Sequence, residues 1–233
     1  MQYSLRDVAG LFSVSENTVN QWVQKENLPA ELVDSQYRFH RDELLEWATL
    51  HKLKCSPKMF QDINGDSVEE SSLADALQLG GIGYRISGAD KQAIFKAVID
   101  DLPLPQSIDG ESLLQLFLTR EQLGSTAVGD GIAMPHPRSP VVLPVPNAVV
   151  RLCFLDTALD FQAPDGKPVD TLFSFICPTV HQHLLLLARL ASVLNVDSVR
   201  SLLKERASEE IIIDAIRQAE NTFRLKEEIT ETA

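Results

Sequence analysis

The chain of 233 residues has little cysteine, few aromatic residues and no excess of positive charge. Its three cysteines, Cys55, Cys153 and Cys177, are odd in number and lack metal-ligand spacing. That excludes a disulfide framework and makes a reducing compartment the expectation. The formal net charge of -12 excludes a general attraction for nucleic acid or for an anionic membrane. No apolar run reaches the length of a membrane span, and the first residues carry no signal-peptide pattern. The expectation is a soluble cytoplasmic protein without a membrane partner. What is present is a hydrophobic content of 44%, which permits a sizeable core and argues against a mostly disordered chain.

Residues 1–54 read as a small helical unit. Leu5, Val8, Ala9, Leu11 and Phe12 recur at helical spacing behind Ser4, a capping residue. Ser13-Val14-Ser15 interrupts the run, and Ser15 can cap a second helix containing Val19, Trp22 and Val23. Two short helices joined by such a turn fit a helix-turn-helix. Asn17, Thr18, Asn20 and Gln21 on the polar side of the second helix are able to bond base edges or phosphates. A hairpin follows over Val33–Phe39, carrying Arg38. Asp42 then caps a third helix through Leu44, Leu45 and Trp47. Trp22 and Trp47 read as core residues. Six basic against eight acidic residues over 1–54 leave few cations for phosphate neutralisation, the best placed being Lys25, Arg38 and Arg41.

The phrases LRDVAGLFSVSENTVNQWVQKENLPA and YRFHRDELLEWA resemble the winged helix-turn-helix of the MerR and excisionase type. The resemblance implies a second helix in the DNA major groove, with Thr18, Asn20 and Gln21 as readers and Arg38 and Arg41 on the backbone. A protein-interaction module remains the alternative. Residues 55–71, with no sustained period, Pro57 and an Asn-Gly pair, read as a linker.

Residues 72–233 alternate helices with strands, which points to an α/β domain, a mixed sheet flanked by helices. Leu73, Ala76 and Leu77 mark a short helix broken at Gly80-Gly81. Asp90 and Asp109 are caps for two further helices, the second running into Arg120. Ala148–Leu155 and Val169–Ile176 are apolar runs of strand type, the latter ended by Pro178. Thr179 and Gln182 form a capping-box pattern. Ser198 and Ser208 are expected to cap the last two helical segments.

The chemistry centres on REQLGSTAVGDGIAMPHPR, Arg120 to Arg138. Glycine, serine and threonine at this density mean a backbone that turns tightly and keeps N–H groups free. Pro135 and Pro137 restrict the chain on both sides of His136, making its imidazole a candidate reactive group. His183 falls in the first turn of a helix and continues its inward stripe with Leu187, Leu190 and Leu194. There it can sit against an anionic group, since a helix start favours negative charge; it can equally be read as a hydrogen-bonded, half-buried histidine. His181 reads as a surface residue. Arg120 can support chemistry or cap its own helix. Asp130 reads as a turn residue and Met134 as packing. No cluster has metal-ligand geometry, and no cofactor is implied.

LTREQLGSTAVGDGIAMPHPR, FQAPDGKPVDTLFSFICP and HLLLLARLASVL match in order the active-site segments of enzyme IIA of the phosphoenolpyruvate-dependent sugar phosphotransferase system (PTS), in its fructose, mannitol and nitrogen-related class. The chain resembles that family from about Leu73 to Ile216. The resemblance implies a mixed β-sheet flanked by helices and a phosphoryl group accepted by His136 from the carrier protein HPr or its nitrogen-branch relative. His183 is then the helper histidine and Arg120 the arginine opening the loop. Two departures stand out: Pro137 where the family has a small residue, which deletes one N–H beside the acceptor, and Met134 where it has isoleucine or valine. Neither removes a reacting atom.

Imidazole suits the task, because its ordinary pKa of about 6.5 leaves a neutral nucleophilic nitrogen at cytoplasmic pH. Three readings follow. In the first, a phosphorylatable regulatory protein of nitrogen-related type is read out through DNA binding, a homodimer matching a two-fold operator. In the second, a transport component passes phosphate to an enzyme IIB. In the third, a DNA-binding or interaction protein is never phosphorylated.

Overall fold

The structure is a computed structural model. It describes residues 2–26, 28–33, 36–51, 53, 72–137 and 143–231, without the side chains of 42, 46, 49, 50 and 224–231. Residues 55–71, expected to be a linker, Arg138 and the side chain of Asp42 lie outside the described residues. The chain divides into two units, Met1–Glu69 and Glu70–Ala233.

In the first unit, β1 (Gln2–Ser4) runs into α1 (Leu5–Phe12), followed by α2 (Glu16–Lys25), β2 (Glu31–Val33), β3 (Gln36–His40) and α3 (Arg41–Leu50). The sequence-based caps hold. Ser4 Oγ accepts from Asp7 N while the Asp7 carboxylate accepts from Ser4 N at 2.8 Å, closing a capping box, and Ser15 Oγ accepts from Thr18 N at 3.1 Å. Ser13, in the left-handed region at φ 56°, makes the turn between the two helices. Strands β1 and β2 flank β3, both antiparallel. Val8, Val19, Phe39 and Leu44 fill the core, with Trp22 and Trp47 packed at 5.1 Å between ring centroids. Trp47 Nε1 donates to Glu26 O at 2.9 Å, so its polar edge is satisfied. Strand β1 was not foreseen: three residues paired 34 to 38 positions away leave no local signal.

The second unit contains α4 (Leu73–Gly80), β4 (Ile82–Ile86), α5 (Lys91–Asp100), α6 (Gly110–Leu123), β5 (Ala127–Gly129) and β6 (Ile132–Ala133). Then come β7 (Val149–Leu159), β8 (Val169–Ile176), α7 (Val180–Val193), α8 (Asp197–Lys204) and α9 (Glu209–Glu231). The sheet order is β4-β7-β8-β6-β5; β4 is parallel to β7 and β6 to β8, the other pairs antiparallel. This is the mixed sheet expected. Leu172 and Ile176 of β8 enter a core with Ile94, Phe95, Leu113 and Phe117 of α5 and α6. The alternate residues Phe173 and Phe175 face the other side, where Phe175 meets His183 of α7. A strand covered on both faces explains why Leu172, Phe173, Phe175 and Ile176 do not alternate with exposed polar residues.

Several local expectations are corrected. The glycine-rich stretch holds a short hairpin, β5–β6, turned by Asp130 (φ 54°) and Gly131 (φ 79°), the positive pair that a two-residue type I′ turn requires. Strand β4 escaped notice because it contains Gly83 and a left-handed Arg85 at a register shift. Helix α8 starts at Asp197 behind Val196, which offers no side-chain cap, so Ser198 lies inside the helix. Thr179 Oγ1 accepts from Gln182 N, but Gln182 Oε1 is buried with no hydrogen-bond partner among the described residues, so only half of the capping box forms.

Candidate functional site

The site is built where α6 gives way to the hairpin. Arg120, 7% exposed, donates from Nη1 to Gly124 O at 2.9 Å and closes the end of its own helix. Next to it, the Glu121 carboxylate accepts from Thr126 N and Oγ1 at 3.1 and 2.6 Å and pairs with Lys91 Nζ at 2.8 Å. Thr126 O in turn accepts from Met134 N at 2.9 Å. These bonds pin both ends of the β5–β6 hairpin. Downstream, Pro135 O accepts from Phe175 N at 3.3 Å, so the backbone leading to His136 is fixed to the central strand β8.

His136 is 0% exposed, and its Nδ1 lies 2.6 Å from Met134 O. A carbonyl only accepts, so Nδ1 carries the hydrogen and the neutral ring keeps its lone pair on Nε2. His183, 7% exposed at the fourth position of α7, places its ring centroid 4.9 Å from that of His136, the planes inclined at 55°. Two imidazoles from segments nearly fifty residues apart thus meet in the protein interior. Burying polar rings is costly unless they are bonded, so this buried pair is the candidate site.

Residues 77–219 match the model of the family described as phosphoenolpyruvate-dependent sugar phosphotransferase system, EIIA 2. The chain belongs to that PTS EIIA family. Residues 3–49 match a helix-turn-helix domain model. Over 140 residues the chain is 31% identical to a nitrogen regulatory protein of Pseudomonas aeruginosa, covering 58% of this chain and 88% of the relative. A nitrogen regulatory protein homolog of Haemophilus influenzae is 27% identical over 160 residues, covering 65% and 96% respectively. Among solved structures, nitrogen regulatory protein IIA-Ntr of Neisseria meningitidis matches at TM-score 0.54 and 28% identity, covering 62% of this chain and 98% of that one. A PTS IIA domain structure from Streptococcus pyogenes, at TM-score 0.52 and 18% identity, shares the fold.

Of the residues singled out in the sequence, the two histidines are brought together ring to ring, while Arg120 is buried at the end of α6 with its bond to Gly124 O. Sequence reasoning missed Met134 O as the ring's anchor and Lys91 as Glu121's partner; the first is a backbone atom and the second lies thirty residues away, so neither leaves a motif. His181 is half-buried rather than at the surface. In the helix-turn-helix unit, Thr18, Asn20 and Gln21 share α2, Arg38 lies on the middle strand and Arg41 opens α3. Gln21 is exposed; the other four are half-buried. The Thr18 hydroxyl is engaged with Ser15 Oγ at 2.8 Å, so it belongs to the cap of α2 as much as to any reading face. No described helix is long and apolar enough to cross a membrane.

Proposed function

We propose that this chain is a phosphohistidine-carrying regulatory protein of the nitrogen-related PTS type, whose phosphorylation state is read out through DNA binding by its N-terminal unit. The observation that carries the reading is the Nδ1 bond of His136 to Met134 O, which leaves Nε2 as the nucleophile beside a second imidazole.

In this mechanism Nε2 of His136 attacks the phosphorus carried by HPr or its nitrogen-branch relative. The new P–N bond forms as the bond to the carrier breaks, and the carrier leaves with that electron pair. Such a transfer needs in-line placement and cover for the equatorial oxygens more than covalent help. A ring N–H of His183 covers those oxygens, Arg120 adds a fixed positive charge, and the Met134 carbonyl steadies the positive charge that the attacking ring acquires. His136 is closed to solvent in this structure, so the carrier reaches Nε2 only after an opening step.

On the DNA side, we read the N-terminal unit as a MerR/excisionase-type reader. Asn20 and Gln21 contact base edges, Arg38 and Arg41 contact phosphates, and Thr18 orders the start of the recognition helix. A homodimer would present two such helices to a two-fold operator.

Incubation with phosphoenolpyruvate, enzyme I and either carrier should place an acid-labile label on His136. His136→Ala should abolish the label. His183→Ala should slow its appearance about a hundredfold, the loss of one donor of about 3 kcal/mol. No label with either carrier would contradict the reading. Onward transfer to an enzyme IIB would turn it toward transport.

A further inference from the structure

The N–H groups of Leu73, Ala74 and Asp75 open α4, and a helix start ordinarily leaves such groups without an intrahelical partner. Asp75 N donates to Ser72 Oγ at 3.0 Å. Leu73 N and Ala74 N donate at 2.7 and 2.9 Å to the two carboxylate oxygens of Glu220, a residue of α9. The Glu220 side chain is only 11% exposed, and Arg189 Nη1 of α7 stands 4.0 Å from the same oxygen that takes the Leu73 N–H. One carboxylate therefore joins three helices: α4, where the chain coming from the N-terminal unit enters this domain; α9, which carries it; and α7, which presents His183. Elsewhere along α4, Arg217 of α9 bonds Asp75 and Gln78, both at 3.2 Å. The buried face of α4, with Leu73, Ala76 and Leu77, keeps the helix docked whether or not the Glu220 clamp is closed.

Resting on the phosphohistidine reading, we propose that Glu220 is the relay through which the state of His136 reaches the start of α4. A phosphoryl group on His136 puts about two negative charges beside the first turn of α7. The positive end of that helix is drawn toward them. Arg189 follows His183 by six residues, about 9 Å along the helix axis, so movement of α7 as a body carries the guanidinium with it. An ion pair at 4.0 Å is sensitive to such movement, and any change redistributes Glu220 between Arg189 and the two N–H groups. Leu73 and Ala74 are then held differently, at the point where the chain from the DNA-binding unit joins the fold.

The test is amide hydrogen exchange at Leu73 and Ala74 in the full-length protein before and after phosphorylation, with the label located by mass spectrometry. Phosphorylation is expected to change their exchange by about threefold or more, the scale of a modest coupling energy. Glu220→Gln keeps the shape and removes the charge. It should still be labelled at His136 but lose that response, and its DNA affinity should no longer differ between the two states. Labelled wild type with unchanged exchange at both amides, or a Glu220→Gln protein that responds like wild type, would overturn the relay while leaving the phosphohistidine reading intact. Absence of label in wild type overturns both. The wild-type arm decides the matter even where the variant does not fold.

Discussion

The two units place their chemically interesting side chains in opposite settings. In the helix-turn-helix unit, Thr18, Asn20, Gln21, Arg38 and Arg41 are exposed or half-buried, where polar side chains are ordinary. In the EIIA domain, His136, His183 and Arg120 are all buried. A buried imidazole against another imidazole has to be maintained by specific bonds, and here the bonds are visible: Met134 O for one ring, and the Glu121–Thr126 lattice for the loop that delivers it. Polar side chains thus point more sharply to function in the second unit than in the first.

The largest expected effect that would break this comparison is in packing. A Cβ on Gly80 would lie 2.0 Å from Val150 O and 2.5 Å from Val150 C, because α4 crosses β7 at backbone contact. Helix propensity favours alanine by about 1 kcal/mol, but a clash with backbone that cannot give outweighs it. Gly80→Ala should destabilise the EIIA domain by about 3 kcal/mol, near the top of the range for overpacking. Both tryptophans, Trp22 and Trp47, lie in the first unit. Their fluorescence should therefore melt unchanged while far-UV circular dichroism reports early loss of the second unit. Coincident loss of both signals would show that the units do not unfold separately.

The next effect concerns the exposed side chains. Asn20→Ala and Gln21→Ala should each cost about 1–3 kcal/mol in affinity for an operator, and only at particular base positions. Arg38→Ala should weaken binding to all sequences and lower the salt slope by about one. Titrations at several stated salt concentrations separate these outcomes. Equal loss on every sequence for Asn20→Ala and Gln21→Ala would remove them from the reading face.

How much of this was legible beforehand divides along physical lines. Caps at Ser4, Ser15, Asp90 and Asp109 were readable because a capping side chain acts within three residues. Strand β8 was readable from Val169 to Ile176 because it is apolar on both faces. His136 and His183 were nominated from the loop and the helix stripe. Their meeting depends on β6 pairing with β8 and on α7 crossing that same face, which is tertiary information. Strands β1, β4, β5 and β6 were missed because they are short, glycine-bearing or paired far along the chain. Ser198 misled because a serine inside the first turn of α8 looks, in sequence, like one that precedes it.

Smaller effects follow from burial and from caps. Burial raises the thiol of Cys153 to about 11 and that of Cys177 to about 12. At pH 8, iodoacetamide should therefore modify neither until the domain is unfolded; rapid modification of either in the native protein would contradict their placement. The smallest effect is in the first unit. The hydroxyl and backbone N–H of Ser4 both donate to the Asp7 carboxylate and hold its carboxyl below the usual range. A depressed folded-state pKa stabilises above the unfolded value of about 4 and is lost as pH falls through the folded one. Acid melts followed by tryptophan fluorescence should show this slope in wild type and a shallower one in Asp7→Asn.

In the proposed transfer His136 presents Nε2, because Met134 O accepts the hydrogen of Nδ1. Nitrogen-15 and phosphorus-31 NMR of the protein labelled through the carrier reads that directly. The expected result is phosphorus bonded to Nε2 of His136, with Nδ1 still protonated. Phosphorus on Nδ1, on another residue, or on none with either carrier would contradict it.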